Sequence, residues 1–139
     1  MQVGVATKAV IFYNDDVLII NKSDKDEINP KTMDLPGGRL GFGEQVIDGL
    51  VREIEEETSL KEVEVIGPAN TWSIVKGDLN LVGITFAVKI KRKNDVNLSF
   101  EHESFIWLPI DKILNDSNMP VWIKEEVSAS VKLKKAYSK

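Results

Sequence analysis

The sequence predicts an α+β fold, a mixed β-sheet sandwiched between α-helices, in a single domain over residues 1–139. Three observations carry this. Two strand–turn–strand units occur, over residues 3–20 and 63–90. A stretch of helical period separates them, and a second helical stretch follows the last strand. Hairpins and helices mixed in this way disfavour a plain parallel doubly wound sheet. Repeats, low-complexity tracts and linkers are absent from the sequence.

Residues 3–13 are β-branched and apolar, interrupted by Lys8; Asn14-Asp15-Asp16 is a turn signal, and residues 17–20 return as a strand, so this unit reads as a hairpin. Residues 23–31 are polar, contain Asn29-Pro30, and read as a loop. Leu35-Pro36-Gly37-Gly38 is expected to break regular structure, and Gly41 and Gly43 to keep the chain irregular up to Glu44. Residues 44–58 then take a helical period, with Val46, Ile47, Leu50, Val51 and Ile54 on one stripe. Gly49 costs that helix about 1 kcal/mol relative to Ala, which the stripe outweighs. Residues 63–75 and 79–90 read as strands joined at Lys76-Gly77-Asp78, followed by a charged turn over 91–95. A short strand over 104–108 ends at Pro109, and a short helix covers 110–114. Pro120 suits the first position of a helix running over 121–137.

Composition removes whole classes of chemistry. The sequence has no Cys and a single His, His102. Disulfides, thiolate zinc sites, Cys nucleophiles and multi-His relays are therefore excluded. Any bound metal must be held mostly by oxygen, which points to magnesium, manganese or calcium. The net charge of −4 gives no electrostatic footprint for duplex nucleic acid. A small nucleotide-like substrate remains open, because a bound cation reverses the field of an acidic site. No apolar run reaches the roughly 20 residues needed to cross a bilayer. With no basic and apolar leader at the start, the default expectation is the cytoplasm.

The informative stretch is GRLGFGEQVIDGLVREIEEETSL, residues 38–60. On a helix, Glu53, Glu56 and Glu57 have i, i+3, i+4 spacing and share a face, while Glu55 points to solvent. That face lies beside the apolar stripe, so its carboxylates are expected to be partly shielded. Shielded like charges cost several kcal/mol each unless a cation offsets them. Arg52 is expected to neutralise only one, so a divalent cation is the simplest reason for the spacing. An isolated acidic run is more often a solvated helix face. Here, however, it follows glycines at 37, 38, 41 and 43, which let backbone groups approach a ligand and feed a helix N-terminus that favours anions. Arg39 can reach a phosphate from the same segment.

These residues resemble the Nudix box, G-x5-E-x7-R-E-U-x-E-E-x-G-U with U apolar: Gly38, Glu44, Arg52, Glu53, Ile54, Glu56, Glu57 and Leu60 fall in place. Ser59 stands where the family has the Gly that ends the helix in a left-handed conformation; Ser adopts it at about 1 kcal/mol, and no side-chain ligand is lost.

The resemblance implies the Nudix fold and a magnesium-dependent hydrolase, manganese being the alternative, that cleaves a diphosphate linkage. Glu53, Glu56 and Glu57 would be metal ligands, joined by the Gly38 carbonyl. Arg52 would orient a box carboxylate, and Glu44 would do similar supporting work, although a residue favoured by the helix dipole explains Glu44 equally. Gly37, Gly38 and Arg39 would face the substrate. A downstream carboxylate in 101–107, Glu101 first and Glu103 second, would act as base or extra ligand, with Glu56 the other candidate base; an exposed polar loop is the competing reading. His102 is expected to be a surface loop residue. Trp72, Phe86 and Trp107 are expected in the core or sheet, Trp72 also as a pocket wall.

The substrate expectation is a nucleoside triphosphate, with ADP-ribose, nucleotide-sugar or dinucleoside polyphosphate cleavage as the alternative. A catalytically weak nucleotide-binding module is disfavoured by the intact carboxylates. An isoprenoid diphosphate isomerase is disfavoured by the missing Cys. Small size and the lack of a basic stripe weigh against an RNA-cap hydrolase. Assembly stays open, with a homodimer as the candidate.

Overall fold

The computed structural model describes residues 1–22, 32–92, 96–98 and 102–138, with His102 and Glu103 described through their backbone alone. The expected loop over 23–31, most of the turn over 91–95, and Glu101 lie outside the described residues.

Among the described residues the elements are, in order, β1 (Gln2–Tyr13), β2 (Asp16–Lys22), β3 (Met33–Asp34), β4 (Gly37–Arg39), α1 (Val46–Thr58), β5 (Val63–Lys76), β6 (Leu79–Ile90), β7 (His102–Pro109), α2 (Ile110–Asn115) and α3 (Val121–Tyr137). The main sheet runs β3-β2-β1-β6-β5, with β4 added to β1 and β7 to β2. The sheet is mixed: β1 and β6 are parallel from Gln2↔Leu79 to Phe12↔Lys89, and the other pairs are antiparallel.

Alternation along the strands sends the two faces of this sheet into two cores. Ala9, Ile11, Leu18, Phe86 and Val88 pack against Leu50 and Ile54 of α1. Val10, Phe12, Val17, Ile19 and Ala87 pack against Ile113 of α2 and Ile123 and Val127 of α3. The expected sandwich is thereby formed. Among the described residues no helix is long and apolar enough to cross a membrane.

Three local expectations need correction. Leu35-Pro36 is irregular as expected, but Gly37-Gly38 is not, because Gly37–Arg39 pairs with β1 at Lys8, Thr7 and Ala6. The backbone bonds Ala9 N to Pro36 O and Leu40 N to Val5 O flank that ladder, each 2.8 Å. Helix α1 starts at Val46, not Glu44, because Glu44 is held back in a turn with its backbone N–H on Gly41 O. Of the apolar stripe, Leu50 and Ile54 are fully buried, but Ile47 is 45% exposed and belongs to the surface.

The end of α1 keeps the geometry expected of a glycine. Ser59 has φ 67° and ψ 7°, and its N–H closes on Glu55 O at 2.9 Å. Its hydroxyl donates to Asn97 O at 2.9 Å. That hydrogen bond, worth about 1 kcal/mol net, offsets the left-handed cost of similar size.

Candidate functional site

The site is built where α1 crosses the short strand β4. Gly37 has φ 149°, and a Cβ there would run into the backbone of Thr7 on β1. Gly38 faces the helix: a Cβ would stand 2.5 Å from the Glu53 carboxylate. Both glycines are thus demanded by the protein's own packing, a reason for them that the sequence alone does not reveal. Gly49 likewise admits the Leu40 and Glu44 side chains against the helix. Its cost to helix propensity secures the turn ahead of α1.

The four glutamates of the helix separate by burial. Glu57 is buried and accepts the Gly37 N–H at 3.2 Å. Glu53 is largely covered, its side chain 15% exposed, while that of Glu56 is 58% exposed. Shielding therefore applies to two of the three candidate ligands, and Glu56 is at the solvent edge. Glu55 is exposed, as expected.

Arg52 organises this cluster more widely than expected. Its Nε donates to Glu44 Oε2 at 2.7 Å and its Nη2 to Glu44 Oε1 at 2.9 Å, a bidentate pair. Its Nη1 donates to Glu53 Oε1 at 3.0 Å and to Glu56 Oε2 at 3.1 Å. One guanidinium thus bonds three carboxylates while still offsetting only one of their charges, as expected. Glu44 raises the Arg52 pKa most, followed by Glu56 and Glu53. Reciprocally, Arg52 and the Gly41 N–H hold the Glu44 carboxyl down to about 2, against an ordinary 4.5. Of the two readings of Glu44, the orienting one matches these contacts: the residue lies outside the helix and fixes the guanidinium.

The depressed Glu44 pKa has a definite sign. The ion pair's contribution to stability is fully present above pH 4.5 and is lost as pH falls toward 2. A carbon-13 NMR titration of the folded protein is expected to show the Glu44 side chain still ionised at pH 3. That signal should be absent in Glu44→Gln; a Glu44 midpoint near 4.5 would refute the assignment.

The donor set suits a hard cation. Glu53, Glu57, Glu56 and the Gly38 carbonyl offer only oxygen, and the absence of a Cβ at Gly38 brings the Glu53 carboxylate directly onto that backbone. Among the described residues no three acidic or His side chains stand together as a ready cage. Arg52 lies between Glu53 and Glu56 instead. Its bond to Glu56 is an exposed i,i+4 pair, worth about 0.3–0.5 kcal/mol, so Glu56 can turn to a cation at little cost.

A second group of polar residues was not found from sequence. On the face carrying α3, Lys8 of β1 is the register partner of Thr85 on β6, which is the partner of Asn70 on β5. Lys8 donates to Asp34 Oδ1 at 2.9 Å, Trp72 Nε1 to Thr85 Oγ1 at 3.1 Å, and Asn70 Nδ2 to the buried Glu126 at 2.8 Å. The Trp72 ring lies over Gly83, where any Cβ would collide with it. This row starts beside β4, since Lys8 is also the partner of Gly37. The residues are scattered from 8 to 126, and only strand register aligns them. Of the other aromatics, Phe86 is in the core and Trp107 packs edge-on to Tyr13 at 6.3 Å. Arg39 is exposed, with its guanidinium against Gly4.

With that geometry in view, comparison with known proteins gives a consistent picture. A family model, the NUDIX domain, matches residues 4–129. Over 75 residues the chain is 36% identical to the m7GpppN-mRNA hydrolase NUDT17 of Xenopus laevis, a stretch covering 54% of this chain and 23% of that protein. It is 28% identical over 138 positions to the RNA pyrophosphohydrolase of Pelagibacter ubique, covering 85% and 87% of the two chains. The crystal structure of a MutT protein from Methanosarcina mazei superposes with a TM-score of 0.81 at 24% identity, covering 96% of each chain.

Proposed function

The chain belongs to the NUDIX domain family, hydrolases of phosphoanhydride bonds, and from that membership we propose that it is a magnesium-dependent pyrophosphohydrolase of nucleoside triphosphates. Manganese is the alternative metal. The observation that carries this reading is the gathering of Glu53 and Glu57 onto the Gly37–Gly38 strand, with Glu56 beside them at the solvent edge.

Glu53, Glu56, Glu57 and the Gly38 carbonyl would hold the cation. When bound, it supplies positive charge to the phosphate oxygens and makes water more acidic. The remaining work falls to the chain. Arg52, fixed by Glu44, keeps Glu53 in place. Arg39 is exposed one residue beyond Gly38 and binds a phosphate oxygen. Glu56 is the solvent-edge carboxylate able to accept a proton from the attacking water; Glu101 is the other candidate. Half-buried Lys8 and Asn70, held in place by Asp34 and Glu126, are the polar groups of that row nearest to solvent for a nucleoside, with Trp72 as a flat apolar wall.

The 5′-triphosphate end of an RNA is the second reading. It is favoured by the names of two relatives, the Xenopus mRNA hydrolase and the Pelagibacter RNA pyrophosphohydrolase. The scissile linkage is the same in both substrates.

A panel of nucleoside triphosphates, ADP-ribose, dinucleoside polyphosphates and 5′-triphosphorylated RNA, each with magnesium and with chelator, tests the proposal. Magnesium-dependent release of diphosphate from a nucleoside triphosphate is expected. Preferred turnover of ADP-ribose or a dinucleoside polyphosphate would replace the substrate assignment. Silence across the panel, with manganese included, would overturn the activity.

A further inference from the structure

The chain carries a net charge of −4, yet its fold collects cations at the end of the sheet where α1 stops. A cavity of about 740 Å³ opens there, with Lys61, Lys89, Lys91 and Arg92 in its walls against Glu62 and Glu64. A smaller one of about 230 Å³ shares Lys89 with it and adds Lys134. These five cations face three acids, Glu62, Glu64 and Asp15, the last 3.9 Å from Lys134 Nζ. One of those acids is already engaged: Glu64 accepts the Tyr137 hydroxyl at 2.6 Å and lies 3.5 Å from Lys89 Nζ. The negative end of α1 is not bare either. The Glu55 carbonyl accepts Ser59 N–H, the Ile54 carbonyl accepts the Thr58 hydroxyl, and the Thr58 carbonyl accepts Asn97 N–H. The local field is therefore positive, and low-dielectric walls concentrate it.

These cations come from the segment after α1, the end of β6 and the last turns of α3, so no basic stripe exists in sequence. They line the walls rather than converge on one point. Tyr13 stands in the wall of the larger cavity, and Tyr137, with Lys89 5.1 Å from its ring, in the wall of the smaller. Cations and aromatic rings sharing the same walls suit a phosphodiester chain with bases that stack better than one compact anion. The place is also suitable. Ser59, in the cavity wall, is three residues beyond Glu56, a rise of about 5 Å along the helix.

We propose that this pair of cavities binds the backbone of a single-stranded oligonucleotide. The site is distinct from the acidic cluster, and its occupancy requires neither hydrolysis nor a metal.

The test is fluorescence anisotropy of a labelled, 5′-monophosphorylated ten-nucleotide RNA titrated with the full chain in chelator, across a salt series. Wild-type protein is expected to bind, with affinity falling as salt rises. Lys91→Glu combined with Arg92→Glu is expected to weaken binding about twentyfold near 0.1 M salt, and to reduce the slope of log affinity against log salt by about 1.4, the loss of two single-strand phosphate contacts. A control with the same change in net charge, Lys76→Glu with Lys112→Glu, should stay within about twofold of wild type, since both residues lie outside the cavities. Equal weakening by the two variants would mean net charge alone and would overturn the proposal, as would no binding by wild type. Tripolyphosphate that binds the wild type while the RNA does not would reassign the cavities to a compact phosphate anion. Because nothing is cleaved in this assay, its failure is separate from failure of the substrate panel.

Discussion

Glu57→Gln is expected to lower kcat by about 10³-fold while the melting temperature changes by no more than a few degrees. The two effects separate because of what Glu57 does in the fold. Its carboxylate is buried and accepts the Gly37 N–H. The Gln amide oxygen accepts the same bond, so β4 keeps its tie to α1. Removing a buried negative charge also relieves repulsion from Glu53, which opposes any loss of stability. What Gln cannot supply is an anionic oxygen for a divalent cation, and metal stabilisation of a phosphoryl transition state is worth several kcal/mol, or about a thousandfold in rate. Steady-state kinetics with saturating magnesium, alongside thermal unfolding, decides the matter. Full magnesium-dependent turnover in this variant would remove Glu57 from the ligand set.

Gly37→Ala is expected to cost about 3 kcal/mol of stability, lowering Tm by roughly 10 °C. Two physical terms act together. At φ 149° an L side chain is strained, and its Cβ would meet the Thr7 carbonyl of the central strand, which is backbone and cannot turn aside. The same substitution at Gly38 meets instead the Glu53 carboxylate, a side chain that can move. Gly38→Ala is therefore expected to spare the fold and displace Glu53. Denaturant unfolding of both variants distinguishes them, and equal loss in the two would contradict the contrast between backbone and side-chain neighbours.

That contrast also marks the boundary of what the sequence discloses. Periodicity locates α1 because Leu50 and Ile54 must be buried, and it locates β1, β5 and β6 because their runs are β-branched and bounded by turns. It misplaces the start of α1 by two residues, since the Glu44 carboxylate is occupied by Gly41 and Arg52, and nothing in the local pattern reveals a partner eight residues away. The box glycines are visible as glycines, but the reason for them is not: Thr7 and Glu53 reach them through tertiary contact. The spacing of Glu53, Glu56 and Glu57 gives their common face, yet not the gradient from buried Glu57 to exposed Glu56, which depends on how closely β4 approaches the helix. The row from Lys8 through Thr85 to Asn70 is invisible for another reason. Parallel pairing of β1 with β6 and antiparallel pairing of β6 with β5 set its register, and no local signal encodes either. The cavity cations are hidden in the same way.

A final consequence belongs to the shared guanidinium of Arg52. An enzyme that concentrates acid groups to attract a metal ordinarily risks coming apart when the metal leaves. In this molecule an internal counter-ion remains behind, bonded to Glu44, Glu53 and Glu56 at once. With a cation held as proposed, loading would exchange one positive partner for another at Glu56, and the helix would stay assembled when the cation left.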